Sequence, residues 1–348
     1  MSENESESQI ESQSESQSGR ADRSGGPVHV VLGAGQVGPR LAEALLARRH
    51  RVRVVRRGEA GQASPAIEWR RADLMDAAAA AAACEGAAVI YDCTNPAGYS
   101  AWNAVLAPMR RGVTAAAART GALLVSLDNL YAYGVPEGGV MTEDTPLRPR
   151  SAKGELRARL ARELLEADAR GEVRATIARA SDFFGPGAGA MSFYGEQFVR
   201  GLARGRRALL LGDPDLPRSY SYVPDVVAGL AALGARPDLA AGKVFHLPVA
   251  WKRGSTRELV ARVAAELGVR PRTMRVPRWV FRAAGPFARD LGEVAEMIYQ
   301  WETPYVLDDG RMTATFGLRA TPVDAAMRET ALAAGLAPAI TRAARAAR

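Results

Sequence analysis

The sequence has only two cysteines, three histidines and three lysines among its 348 residues, and each scarcity excludes something. Cys84 and Cys93 lack C-x-x-C spacing and fall in segments that read as buried helix or strand. Neither a disulfide framework nor a metal ribbon is expected, and a reducing cytoplasmic setting fits. His29, His50 and His246 lie far apart and form no H-x-x-x-H or H-E-x-x-H array, so no metal site is expected. No apolar run of about 18 residues escapes interruption by a charge, which argues against a membrane span. The first twenty residues lack both the apolar core of a signal peptide and the basic amphipathic pattern of an import sequence.

What is present is a chain that is 47% apolar and long enough for a full-sized core, expected as one large core with a smaller appended lobe. Residues 1–26 are rich in Ser, Glu and Gln, too polar to offset their own ordering entropy, and read as a disordered tail. Met1 to Ser24 holds six acidic and two basic residues, so the remainder carries 44 basic against 32 acidic groups, a net +12. That excess raises nucleic-acid binding, but arginine is scattered along the chain and no recognition motif accompanies it. The expectation is arginine on solvated helix faces, with no nucleic-acid and no membrane partner.

From Val28 the pattern alternates: strand Val28–Leu32, helix about 36–48, strand Arg51–Val55, an extended stretch Ile67–Arg70, helix about 76–84, strand Ala88–Tyr91, helix about 101–119, strand Ala122–Ser126, a charged helix about 151–169 and strand Ala175–Arg179. This predicts an α/β, doubly wound parallel sheet of Rossmann type. After Ser181 the chain turns Gly- and Pro-rich and the alternation is lost. The expected division is a dinucleotide-binding core over 27–180 and a mostly substrate-binding lobe over 181–348, with some elements returning to the core.

Gly33-Ala34-Gly35-Gln36-Val37-Gly38 sits between the first strand and helix. The first glycine permits a tight turn, the second lets a pyrophosphate approach the backbone, and the third lets the helix pack closely on the strand. Free N–H groups at the helix start then hold the phosphate. Where an NAD-preferring domain offers a carboxylate at the end of the second strand, this chain has Arg56 and Arg57, and no acid until Glu59. Two guanidinium groups suit a 2′-phosphate, so NADP(H) is expected over NAD(H). Asp73 and Leu74 fall where the adenine lies in such domains, although Asp76 is the better placed helix cap. Thr94 and Asn95 end the next strand and are expected to line the ribose.

Several further motifs follow in order: Ala72-Asp73-Leu74, Leu130-Tyr131-Ala132-Tyr133-Gly134, Thr142-Glu143-Asp144-Thr145-Pro146, Arg179-Ala180-Ser181-Asp182-Phe183-Phe184-Gly185-Pro186-Gly187 and Tyr220-Ser221-Tyr222-Val223-Pro224-Asp225-Val226. With the glycine loop they resemble the extended short-chain dehydrogenase/reductase family, also called the NAD-dependent epimerase/dehydratase family, from about Val28 to Ala333. The resemblance implies a nicotinamide cofactor, a substrate cleft beside a small carboxyl-terminal lobe, and a Ser/Thr, Tyr and Lys catalytic set. The sequence departs from that set. Asn129 stands at the Ser/Thr position, Lys153 at the Tyr position and Arg157 at the Lys position, and Leu32 replaces the first glycine of the family's G-x-x-G-x-x-G.

The candidate catalytic residues are therefore Asn129, Tyr131, Lys153 and Arg157. Asn129 can hold a substrate oxygen, and Lys153 can donate a proton if burial and Arg157 lower its pKa. A spacing of four puts Lys153 and Arg157 on one helix face, where they can instead grip cofactor or join a solvated basic stripe with Arg159 and Arg162. Tyr131 and Tyr133 offer a substitute phenol. The expected function is an NADP(H)-dependent oxidoreductase, epimerase or dehydratase acting on a small hydroxy- or keto-metabolite. The alternatives are a non-catalytic NADP(H)-binding sensor or scaffold, and a redox-neutral isomerase or cyclase on the same fold. A homodimer stays open as the assembly.

Overall fold

The computed structural model describes residues 26–59, 64–96, 98–189, 192, 194–284 and 289–336. The tail expected over 1–26 lies, up to residue 25, outside the described residues. Seven strands form the central sheet: β1 (Val28–Leu32), β2 (Arg51–Arg56), β3 (Ile67–Arg71), β4 (Ala87–Asp92), β5 (Leu123–Asp128), β6 (Arg174–Arg179) and β7 (Val244–His246). Their spatial order is β7-β6-β5-β4-β1-β2-β3, and every pairing is parallel. The strand order reverses between β1 and β4, which opens the crevice where ligands of doubly wound sheets bind.

Both faces of the sheet are covered, which is why its inner strands read as nearly continuous apolar runs. Helices α1 (Gly38–Ala47), α2 (Ala77–Ala83), α3 (Trp102–Thr120), α4 (Ala152–Ala169), α5 (Glu196–Ala203) and α6 (Val223–Ala235) follow in chain order. On one face Leu32, Ile90, Leu124 and Ile177 pack with Leu106 and Val113 of α3 and Leu156 and Leu160 of α4. On the other, Val31, Val54, Tyr91 and Val125 pack with Leu41 and Leu45 of α1 and Val226 and Leu230 of α6. Asp76 caps α2 by accepting from the Ala78 and Ala79 amides, and Ser151 caps α4 by accepting from Gly154.

Two boundaries shift in ways that matter. The first helix begins at Gly38 rather than Gln36, leaving Gln36 and Val37 in the loop. β5 runs two residues past the expected Ser126, because Leu127 and Asp128 pair with Ala178 and Arg179 of β6. Past Phe183 the sequence offers few clear strands, and the structure explains this. Phe183–Phe184 pairs with Ser221–Tyr222, and Val140–Met141 with Val306–Leu307, in pieces too short to show a period. Another cluster, including Leu210, Tyr220, Tyr222, Leu259 and Met327, gathers elements of the second half. Among the described residues, no helix is long and apolar enough to cross a membrane.

Candidate functional site

The glycine loop has the geometry its three glycines require. Gly33 sits at φ +94°, in the left-handed region that favours glycine, and its amide donates to the Val55 carbonyl at 2.8 Å. A Cβ on Gly38 would overlap the Gly33 carbonyl oxygen, so helix and turn are in contact with no room for a side chain. Gly35 differs: nothing lies within 4 Å of where its Cβ would be. The loop is thus closed beneath and open above, and no side chain caps α1. Pro39 brings no N–H, so the remaining first-turn amides and the open face at Gly35 are what fit a pyrophosphate. Leu32, which replaces a family glycine, is fully buried in β1, so the departure is absorbed by the core. Gln36 donates to the Ala188 carbonyl, and Arg40 lies against Gly187, so the segment after Phe184 packs beside this loop.

At the C-terminal ends of β2 and β3 the structure brings together Arg56, Arg57 and Arg71. Arg56 pairs in register with Arg71 and is half-buried, whereas Arg57 and Arg71 are exposed. Arg71 was missed in the sequence because it follows a short strand whose partner is unknown until the sheet is assembled. The Asp73 carboxylate accepts from the Met75 amide at 3.0 Å and is exposed, while Leu74 is buried beneath α3, its carbonyl in the place a Gly112 side chain would need.

A buried polar network lies where β4, β5 and β6 end. Asp92 of β4 accepts from the Thr94 amide at 3.0 Å, the Thr94 hydroxyl at 2.5 Å and Arg110 of α3. Arg110 also donates to Ser126 Oγ at 2.5 Å and to the Leu127 carbonyl at 3.1 Å. Arg157 of α4 donates to Asp128 at 3.1 Å and to the Asn95 side-chain oxygen at 2.7 Å, with its guanidinium 4.4 Å above the Trp102 ring centre. Burial pushes the Arg157 pKa down, against the opposing pull of Asp128 and a smaller one from Tyr131. Tyr131 stacks on the same Trp102, ring centres 5.9 Å apart. The Asn129 side-chain oxygen accepts from the Tyr131 amide at 3.1 Å. A cavity of about 330 Å³ opens between α3 and α4 with Asp92, Arg110, Ser126, Asp128 and Arg157 at its polar end. It lies on the helix side of the sheet, not over the glycine loop.

Four of the candidate residues are thus connected: Arg157 and Tyr131 lie against Trp102, Asn95 accepts from Arg157, and Asn129 accepts from the Tyr131 amide. Lys153 does not join them. Its ammonium, 4% exposed at the residue level, is closed between Glu293 and Glu296 of a helix far along the chain (Arg289–Met297), at 2.6 Å from Glu296. Tyr133 meets the cluster only through Arg179, which also lies 3.7 Å from Asp128. Its hydroxyl meets His246 Nε2 at 2.6 Å, Arg179 covers its ring at 4.4 Å, and burial raises its pKa. Sequence reasoning did not single out Asp92, Arg110, Trp102 or Asp128; the only signal was a pair of acids at strand ends.

A second buried guanidinium, Arg218, donates to Asp182 at 2.5 Å and to the Gln300 carbonyl, and lies 4.3 Å from the Trp301 ring centre. Burial opposes its charge, but Asp182 and the surrounding phenols more than compensate and raise its pKa. Burial drives the Cys84 thiol up to about 12 and Cys93 higher still, so neither is a ready nucleophile. Among the described residues no three His, Cys, Asp or Glu side chains gather as a metal site.

Comparison with known proteins places this geometry in a family. The chain is similar over 88% of its length to a dTDP-glucose 4,6-dehydratase from Bacillus anthracis solved with NAD, with a TM-score of 0.72, 15% identity and 96% of that chain covered. It is similar to the UDP-glucose 4-epimerase of Thermus thermophilus, also solved with NAD, with a TM-score of 0.69, 22% identity and 88% and 99% of the two chains covered. A dTDP-glucose 4,6-dehydratase from Streptomyces venezuelae gives a TM-score of 0.69 at 21% identity over 87% of this chain and 96% of its own. At these identities the likeness is one of fold. No curated protein matches the sequence. Residues 29–247 match the NAD dependent epimerase/dehydratase family, and the chain belongs to that family.

Proposed function

We propose that the chain is an NADP(H)-dependent oxidoreductase, or a related epimerase or dehydratase, acting on a small hydroxy- or keto-bearing metabolite. The observation that carries this reading is Arg157, fixed by Asp128 and Asn95 against Trp102, with Tyr131 stacked on the same ring. Tyr131 is the acid/base: its phenol gives a proton to a forming alkoxide, and its phenolate takes one from a hydroxyl. Arg157 stays charged and stabilises the phenolate, the service a lysine performs in the family. Asn129, whose carbonyl is engaged by the Tyr131 amide, turns its amide NH₂ to the substrate oxygen. When bound, a nicotinamide cofactor would supply the hydride chemistry. The loop and α1 would hold its pyrophosphate, Thr94 and Asn95 its ribose, and Asp73 its adenine amino group.

The similar structures were solved with NAD, whereas Arg56, Arg57 and Arg71 of this chain favour a ligand with an added phosphate. Those proteins are also named for nucleotide sugars, which bring a diphosphate. Here Arg218 is paired with Asp182, while Arg157 and Arg179 share the single carboxylate of Asp128, so these three buried guanidinium groups face two acids.

One observation favours the second reading, a non-catalytic NADP(H)-binding protein: Lys153, at the position of the family's acid/base, is enclosed by two carboxylates. Turnover of NADPH against a panel of aldehydes and ketones separates the two. Tyr131→Phe is expected to lower turnover about a hundred- to ten-thousand-fold without weakening NADPH binding. Tight NADPH binding by the parent protein with no oxidation by any carbonyl would favour the sensor.

A further inference from the structure

The basic excess of the sequence finds a place outside the cofactor crevice. Strand Arg207–Leu211 pairs in parallel with strand Arg272–Val276, Arg207 opposite Arg272 and Leu209 opposite Met274. Side chains alternate across a strand, and Ala208 and Leu210 are buried while Arg207 and Leu209 are exposed. The outer face of this ribbon therefore carries an arginine rung beside an apolar rung. Because the strands are parallel, Arg204, Arg206 and Arg270, which precede them, gather at the same end. All five arginines are exposed, and among the described residues none has a carboxylate within ion-pair distance, whereas the nearby Arg200, Arg257 and Arg262 each do.

Leu209 is 50% exposed and Met274 44%, and Trp279, in the helix Arg278–Ala284 that follows, is 68% exposed. These are three of the five large apolar side chains left exposed among the described residues, all within one ribbon and the helix after it. Neither feature helps the fold, since like charges in register repel and apolar surface stays in water. Together they are the composition of an interfacial surface: guanidinium groups for phosphates, aliphatic side chains for the acyl boundary, and a tryptophan at the level of the headgroups.

We propose that this face docks the protein on an anionic lipid surface. A nucleic acid would engage the arginines but gains nothing from Leu209 and Met274, and the apolar rung therefore decides between the two polyanions. The test is co-sedimentation of the full chain with phosphatidylcholine vesicles, with and without a third of phosphatidylglycerol. Binding is expected only with the anionic lipid and weakens with salt. Arg207→Gln/Arg272→Gln should reduce it about thirty-fold, equivalent to about 1 kcal/mol per arginine at such a surface. Leu209→Ser/Met274→Ser should also weaken it, and a blue shift of tryptophan emission on binding should vanish in Trp279→Phe. Circular dichroism of each surface variant guards against misfolding. No sedimentation at low salt overturns the proposal. So does binding that ignores the Leu209/Met274 change and is competed equally by duplex DNA, which would make the face a plain polyanion surface.

Discussion

Replacing Arg56 and Arg57 together by alanine tests the cofactor assignment most directly. The half-buried Arg56 and the exposed Arg57 end β2 beside the glycine loop, at the edge where the adenosine ribose of a bound dinucleotide lies. A 2′-phosphate carries close to two negative charges at neutral pH. A charge-assisted hydrogen bond contributes about 1.5–3 kcal/mol when well shielded, and about 1–2 kcal/mol is the reasonable figure for guanidinium groups in contact with water. Losing both gives about 2–4 kcal/mol, or roughly thirty- to seven-hundred-fold in NADPH affinity at about 1.4 kcal/mol per tenfold. NADH lacks that phosphate, so its affinity should change by less than about twofold, a few tenths of a kcal/mol, as for a surface substitution. Nicotinamide fluorescence titration of parent and variant with each cofactor reads all four constants. In the parent, raising the salt should weaken NADPH more than NADH. Equal affinity of the parent for the two cofactors, or equal losses for both in the variant, would refute the argument.

Gly35→Ala and Gly38→Ala should separate binding from folding. The first has space in the free protein and should leave thermal stability unchanged while costing at least about tenfold in NADPH affinity; the second overlaps the Gly33 carbonyl and should cost about 1–3 kcal/mol of stability in urea unfolding. His246 is buried, bonded to Tyr133 and the Asp308 carbonyl, and its pKa is pushed down to about 3. It stays neutral in the folded protein while the unfolded chain takes up its proton below about pH 6.5, so its stabilisation is complete above that pH and falls as pH drops towards 3. The slope is about 1.4 kcal/mol per pH unit, and unfolding free energies with no difference in slope between the parent and His246→Gln from pH 7 to 5 would contradict it. Lys153→Met leaves two carboxylates without their cation and should lower stability by about 3 kcal/mol, the low end for a broken buried pair because both acids keep some water contact. A variant as stable as the parent that loses only turnover would return the proton-donor role to Lys153.

The sheet and the loop were legible because their requirements are local. Val28–Leu32 emerges with the predicted bounds, Asp76 caps its helix, and the glycines at 33, 35 and 38 answer to a positive φ, an open face and a close contact, all within six residues. A backbone constraint of that kind is written into residue type and spacing alone. The family followed from the order of such motifs. The catalytic candidates behaved otherwise. Lys153 and Arg157 share a helix and one turn of spacing, yet Arg157 faces Asp128 and Asn95 over the Trp102 ring, while Lys153 is taken by acids 140 and 143 positions away. Nor did composition distinguish the arginines of helix faces from the rung at Arg207 and Arg272, which exists only because two strands 65 residues apart lie in register. The sequence by itself determined where the backbone turns, which stripes are buried and where glycine is required. Only the tertiary structure decided which charges meet, because an ion pair depends on distances between elements that no local pattern of residues encodes.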